Sequence, residues 1–166
     1  MLSKLLGKNN QTAVSVRSPL TGEVVPLDRV PDEAFAGRHM GAGIAIEPSH
    51  GKLAAPFDGT VRHLIHTKHA LLLEHPSGLQ LLIHLGINTV ALNGHCFTSR
   101  IQTGDSFKQG ETLIEFDPAA IASAGFPTIC PIVVVNEDEL RKLAIETNGG
   151  CVTAGDDIIL TAVLNG

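Results

Sequence analysis

The sequence is poor in charge, in long apolar runs and in helical patterns. Only 17% of its 166 residues are charged and 43% are hydrophobic, a balance that favours a compact domain and excludes a disordered chain. The net charge of −5 provides no basic surface for nucleic acid. No apolar stretch, the N-terminal segment included, is long enough for a signal peptide or a membrane span. We therefore expect a cytoplasmic protein without stable membrane insertion.

Cysteine is scarce, and its spacing is uninformative about metal or redox chemistry. The chain has three cysteines, Cys96, Cys130 and Cys151, and no Cys-x-x-Cys pattern. Widely spaced cysteines in odd number fit reduced thiols in a cytosolic protein and argue against a disulfide framework.

Turn residues, by contrast, are abundant. Seventeen glycines and nine prolines leave short apolar runs, which predict strands at residues 43–46, 60–65, 112–116, 132–135 and 158–163. Helical signals are brief: residues 118–124 follow Asp117 as N-cap, and residues 137–143 begin with a capping-box-like pattern. The expected fold is an all-β antiparallel sandwich or barrel with short helical decorations.

The sequence also contains a faint internal repeat. Ser-Pro-Leu-Thr-Gly-Glu-Val at residues 18–24 returns as Ala-Pro-Phe-Asp-Gly-Thr-Val at 55–61, and residues 104–114 resemble residues 149–159. Each segment is a glycine turn that leads into an apolar strand, so shared turn chemistry could explain one pair. Two pairs favour duplication of a β unit.

A pair of histidines flanks the turn Pro76-Ser77-Gly78. Apolar residues on both sides predict an antiparallel hairpin, and a loop of Pro76 and Ser77 would place His69 directly opposite His84. A bulge at Gly78 would shift this register by one residue.

Alternation along the second strand predicts the face on which His84 lies. Leu79, Leu81, Ile83 and Leu85 form a continuous apolar face, so His84 should point away from the core. The same alternation predicts that His69 shares its face with Thr67, Leu71 and Leu73. Two imidazoles and a hydroxyl in an apolar surround indicate a reactive centre.

Metal binding is the competing interpretation of these histidines. His69 and His84 supply two ligands, and a zinc ion there would need a further ligand from a partner. His63 and His66 add a dense spacing, but strand alternation sends His66 to the other face. No cofactor is required by the sequence.

Four motifs carry a resemblance to a known family. They are Val30-Pro-Asp-Glu-Ala-Phe, the segment 55–61, Lys68-His-Ala, and residues 82–90, which read Leu-Ile-His-Leu-Gly-Ile-Asn-Thr-Val. From about Ser18 to the C-terminus the chain resembles the glucose-family IIA component of the bacterial phosphoenolpyruvate-dependent sugar phosphotransferase system. We expect a flexible tail at residues 1–17 and the IIA domain at residues 18–166, with a β-sandwich of the duplicated hybrid type.

The resemblance implies a role for each residue of the predicted centre. His84 would accept a phosphoryl group from the phosphocarrier HPr and pass it to the IIB domain of a sugar permease. His69 would be the second active-site histidine and Thr67 its assisting hydroxyl. A neutral imidazole is a good nucleophile. The sequence has no Gly-rich phosphate loop ending in Lys-Ser/Thr, so we do not expect a nucleotide to be the phosphoryl donor.

The resemblance also implies a docking surface and a second mode of action. HPr and IIB would use in turn an apolar patch around His84, formed by Phe35, Met40, Ile65, Leu82 and Val90. Family members usually carry Asp where this chain has Asn88, and a carboxylate there could pair with a basic partner. Phosphorylation could also switch the binding of regulatory targets that report sugar status.

Overall fold

A computed structural model describes residues 13–165 and shows an antiparallel all-β protein, as predicted. Its strands, in chain order, are β1 (Ala13–Arg17), β2 (Gly22–Val25), β3 (Ala42–Pro48), β4 (Lys52–Ala54), β5 (Gly59–Leu64), β6 (Ala70–Glu74), β7 (Gln80–His84), β8 (Phe97–Ser99), β9 (Ser106–Phe107), β10 (Thr112–Phe116), β11 (Cys130–Val134), β12 (Leu140–Ile145), β13 (Gly150–Val152) and β14 (Ile158–Leu164). The five predicted strands correspond to β3, β5, β10, β11 and β14, within a few residues at each end.

The strands form one large sheet and two small ones. The large sheet has the order β13-β2-β3-β11-β7-β6-β5-β9, and the small sheets have the orders β1-β14-β12 and β4-β10-β8. A single apolar core takes residues from all three, such as Val16, Leu53, Leu81, Ile132 and Leu160. The small sheets therefore pack against one face of the large sheet, which gives a sandwich.

The topology has an internal pseudo-two-fold symmetry. Strands β4 to β10 form one unit, and β1 to β3 with β11 to β14 form a second unit that repeats the same arrangement on the other side of the β7–β11 pair. The first unit is thus inserted into the second, between β3 and β11. The repeated segments occupy matching places, because 18–24 leads into β2, 55–61 leads into β5, and the edge strands β13 and β9 pair with those two strands.

Matching glycines at the starts of β2 and β5 show why the repeated segments keep their pattern. A Cβ on Gly22 would lie 2.0 Å from the Glu47 carbonyl oxygen, and a Cβ on Gly59 would lie 2.3 Å from that of Glu74. No Cβ fits at such distances, so each unit needs glycine where the next strand crosses closely.

A second, smaller core lies on the other face of the large sheet. Ala45 of β3 and Val133 of β11 alternate with residues of the main core and pack with Leu27, Phe35 and Ile87. The covering segment contains a short helix, α1 (Glu33–Ala36), whose N-cap Asp32 accepts a hydrogen bond from Ala34. His84 lies on this face, next to the second core.

One of the two predicted helices is correct. Helix α2 (Pro118–Ser123) begins after Asp117, whose carboxylate accepts from the Ala120 N–H, and Gly125 follows with a φ of +94°. The helix predicted at residues 137–143 is wrong. A 3-10 turn at Glu137–Glu139 leads directly into β12. Pairing with β14 gives the backbone N–H and C=O groups of β12 the hydrogen bonds that a helix would otherwise provide.

The predicted domain boundary after residue 17 also needs correction. Residues Ala13–Arg17 pair with β14, and Val14 and Val16 are buried in the main core. The prediction of a flexible tail is therefore wrong for residues 13–17, and its remaining part, residues 1–12, lies outside the described part of the chain. Among residues 13–165 no helix is long and apolar enough to cross a membrane.

Candidate functional site

The predicted hairpin forms, but with a register one residue away from the direct pairing of the two histidines. Gly78 has a φ of +101°, its N–H donates to the His75 carbonyl, and the loop holds three residues. Ala70 instead of His69 therefore pairs with His84. This is the shift expected from an irregular Gly78.

The face predicted for His84 is confirmed, whereas the face predicted for its partner strand is wrong. Leu79, Leu81, Ile83 and Leu85 are all fully buried, and His84 points to the opposite side with a half-buried ring. With the shifted register, Leu71 and Leu73 lie in the main core and cannot share the histidine face.

His69 nevertheless reaches His84. It precedes β6 and follows Lys68, whose φ of +63° turns the backbone out of strand geometry. The two imidazole rings lie edge to face with centroids 4.8 Å apart. Thr67 completes the group, since its Oγ1 lies 2.6 Å from His69 Nδ1. The structure thus brings together the three side chains predicted from the sequence, by a local turn instead of by strand pairing.

The tautomer of His84 follows from its hydrogen bond. Nδ1 lies 2.6 Å from the carbonyl oxygen of Gly86, and a carbonyl can only accept, so Nδ1 carries the proton. The lone pair then resides on Nε2. In His69 it is likewise Nδ1 that is engaged, by Thr67 Oγ1, which leaves Nε2 outside that hydrogen bond.

Both imidazoles are held in the neutral form at neutral pH. Burial, and secondarily the neighbouring His84, lower the pKa of His69 from 6.5 to about 4. Burial also lowers the pKa of His84, opposed by its hydrogen bond to Gly86 and by the negative charge of Asp32. A neutral imidazole with a free Nε2 is a competent nucleophile.

Two contributors to the site, Asp32 and Gly86, were not singled out from the sequence. Asp32 is the N-cap of α1 and the carboxylate whose charge acts on His84. The capping pattern predicts its local role, but its approach to the histidine depends on how the segment before β3 folds over the sheet. The role of Gly86 depends on the course of the chain after β7.

The predicted docking residues differ in accessibility. Phe35 is only 4% exposed and packs its ring edge against His84, with centroids 5.4 Å apart, so it supports the site from below. Met40 and Val90 are 39% and 52% exposed, and Asn88 is also exposed. Ile65 and Leu82 are half-buried. Met40 and Val90 are therefore accessible to a partner, whereas Phe35 is not.

The metal-binding potential of the site is limited to its two histidines. Within residues 13–165 no three side chains among His, Cys, Asp and Glu come together in a metal-binding group. Zinc prefers four ligands, so an ion on His69 and His84 would need further ligands from a partner or from water.

Comparisons with known proteins agree with this fold and identify the family. The family model of the phosphoenolpyruvate-dependent sugar phosphotransferase system, EIIA 1, matches residues 14–140. A glucose-specific EIIA component of the same system from Oceanobacillus iheyensis is 39% identical over 151 residues, which is 90% of each chain. The glucose permease IIA of Mycoplasma capricolum has a solved structure with a TM-score of 0.83 and 31% identity, covering 90% of this chain and 96% of that one.

A longer relative contains a similar segment within a larger protein. The beta-glucoside-specific EIIBCA component from Dickeya chrysanthemi is 48% identical over 132 residues, which is 80% of this chain and 21% of that protein. These findings place the chain in the EIIA 1 family of the sugar phosphotransferase system, where it acts as a phosphocarrier.

Proposed function

We propose that His84 is the phosphoryl acceptor of this phosphocarrier. The observation that carries the proposal is the hydrogen bond from His84 Nδ1 to Gly86, since it leaves Nε2 as the nucleophilic atom. Attack by Nε2 on a donor phosphohistidine forms a new N–P bond while the donor N–P bond breaks, and the electron pair of that bond returns to the donor nitrogen. Such a transfer needs in-line approach and positioned hydrogen-bond donors more than covalent machinery.

His69 acts as the assisting residue in this proposal. Its ring is 4.8 Å from that of His84, and its hydrogen bond to Thr67 fixes the ring orientation. Being neutral, it avoids forming an ion pair with the phosphoryl group that would hold the group too tightly for onward transfer. Its role is to stabilise the oxygens of the moving phosphoryl group.

The proposed donor is phospho-HPr, and the proposed acceptor is the IIB domain of a permease for glucose or a related hexose. Support for the acceptor comes from the Dickeya relative, whose name joins B, C and A components in one protein. Met40 and Val90 are exposed apolar side chains, and in this proposal they belong to the apolar docking area that the two partners use in turn. The relay takes place in the cytoplasm.

The test is phosphorylation by phosphoenolpyruvate, enzyme I and HPr, followed by intact and peptide mass spectrometry. We expect one acid-labile phosphoryl group on His84 in the wild type and none in His84→Gln. His69→Gln should accept the group and fail to pass it to IIB. His95→Gln is the matched control, because His95 is an exposed loop histidine and its loss should change neither step. Phosphate on His69, or none on any histidine, would overturn the proposal.

A further inference from the structure

The turn that follows β7 holds the Gly86 carbonyl in place, and this carbonyl sets the tautomer of His84. We propose that Thr89, which lies outside the reacting group, is a positioning residue for phosphoryl transfer. Its hydroxyl would keep the turn in the one geometry in which His84 Nδ1 is protonated and Nε2 is free. The inference rests on the proposed role of His84 as acceptor.

The backbone around Gly86 is fixed on both sides. The Gly86–Ile87 peptide presents its carbonyl to His84, and its N–H, that of Ile87, donates to the Pro127 carbonyl at 3.1 Å. Gly86 has a φ of +76°, and a Cβ there would lie 2.9 Å from the same Pro127 oxygen. The peptide is therefore wedged against the segment that enters β11, where only glycine fits.

Thr89 holds the Leu85–Gly86 peptide, which precedes the Gly86–Ile87 peptide. Its side-chain oxygen donates to the Leu85 carbonyl at 2.7 Å, and the residue is completely buried. The N–H of the same Leu85 donates to the His69 carbonyl at 2.7 Å. Leu85 thus joins the hydroxyl of Thr89 to the backbone of the second histidine. Two hydrogen bonds at Leu85 therefore connect the turn that holds the Gly86 carbonyl to the backbone of His69.

The thiol beneath the turn has a structural part in this arrangement. Cys130 is fully buried, burial raises the pKa of its thiol to about 12, and its S–H donates to the Thr128 carbonyl at 3.2 Å. It therefore stays protonated at neutral pH and adds no charge near His84. Of the groups around the turn, the hydroxyl of Thr89 is the one whose removal leaves a buried carbonyl without its side-chain donor.

The test compares Thr89→Val, which removes the hydroxyl and keeps the branched shape, with Thr89→Ser, which keeps the hydroxyl. The first readout is the tautomer of His84 from the chemical shifts of its two ring nitrogens, measured in the absence of any phosphoryl donor. The second readout is the rate of phosphorylation by phospho-HPr. The first readout does not depend on phosphorylation, so failure of the proposed function and failure of this inference are distinguishable.

We expect the wild type to hold its ring proton on Nδ1 and Thr89→Val to populate the Nε2-protonated form. The phosphorylation rate of Thr89→Val should fall by about fivefold to tenfold, the order expected from one lost hydrogen bond. Thr89→Ser should keep the wild-type tautomer and most of the rate. An Nε2-protonated ring in the wild type overturns the proposal even if the valine variant fails to fold. Equal loss in the serine and valine variants, or no loss in either, also overturns it.

Discussion

The two pseudo-symmetric units have the same strands in the same order, yet among the described residues the pair of histidines lies in one unit and has no counterpart in the other. Ile83 of β7 pairs with Ile132 of β11, so the pseudo-two-fold axis passes between them and exchanges the residues that follow, His84 and Val133. His84 pairs with Ala70 and Val133 pairs with Gly43, which makes Ala42 the counterpart of His69.

His84 and its counterpart Val133 differ in burial and in the turn that follows each strand, although the strands around them are arranged alike. Val133 is fully buried in the second core, under α1 and its flanking segment, whereas His84 lies at the edge of that core with one side open. The turns that follow β7 and β11 differ too. The third residue after Ile83 is Gly86, whereas the third residue after Ile132 is Val135. Two imidazoles and one glycine turn distinguish the candidate site from the corresponding position in the other unit.

The largest effect is expected from making the two units alike at the reactive position. His84→Val replaces the histidine with the residue of its counterpart and removes the nucleophile. Phosphorylation by the donor system should fall by roughly a thousandfold or more, to the limit of detection. The free energy of unfolding should change by only about 1 kcal/mol, because valine already fits the equivalent place. Residual phosphorylation above background would show that another side chain accepts the group.

The next effect tests whether the symmetry is energetic as well as geometric. Gly22→Ala and Gly59→Ala place a Cβ against a backbone oxygen in each unit, so both should lose about 2–4 kcal/mol of stability in denaturant titrations. Gly104→Ala is the control. It has a φ of +95° but no atom within 4 Å of the added Cβ, and should lose only about 1 kcal/mol. If only one of the two alanine variants loses stability, the close approach of the glycine to the neighbouring strand is not shared by both units.

The histidine-bearing unit should also make stability depend on pH. The pKa of His69 is about 4 in the folded protein against 6.5 for the ordinary group, so between these values the unfolded chain binds more protons. Its contribution is complete above pH 6.5 and is lost as the pH falls toward 4. The free energy of unfolding can be measured by urea titration at neutral pH and at a pH midway between 4 and 6.5. Between these two conditions it should decrease less in His69→Gln than in the wild type. An unchanged decrease would mean that His69 is already protonated in the folded protein.

The smallest effect concerns the exposed turn beside the site. Asn88 has a φ of +63°, which aspartate tolerates nearly as well, so Asn88→Asp should leave the melting temperature almost unchanged. The new carboxylate, four residues after His84 in the sequence, should raise the rate of transfer with a basic partner by a few-fold at low ionic strength. The gain should disappear at high salt. A gain that persists at high salt would point to a cause other than charge.

Local patterns predicted much of this protein correctly. The alternation of leucine and isoleucine in β7 gave the face of His84, and Asp117 with Pro118 gave helix α2. The repeated glycine segments predict the duplication that the strand order shows. Each of these depends on residues close in sequence, whose geometry is set by backbone sterics and periodicity.

The errors arose where distant segments decide the outcome. Glu137 and its neighbours favour a helix locally, but the residues that follow pair with β14 and form β12. The resemblance assigns Phe35 to the docking surface, whereas the fold of its segment over the large sheet buries it against His84. His69 was expected to reach His84 by direct pairing, and the three-residue loop at Gly78 shifted the strands by one residue.

The sequence by itself determined the all-β class and the face of His84, because alternation and turn residues are local properties. Its motifs determined the family and, with it, the three side chains of the candidate site. Only the tertiary structure decided the tautomer of His84, the neutral state of both imidazoles and the influence of Asp32. Those properties depend on which carbonyl, which charge and how much solvent surround each ring. Such surroundings exist only once β7, its following turn and the segment before β3 have packed together.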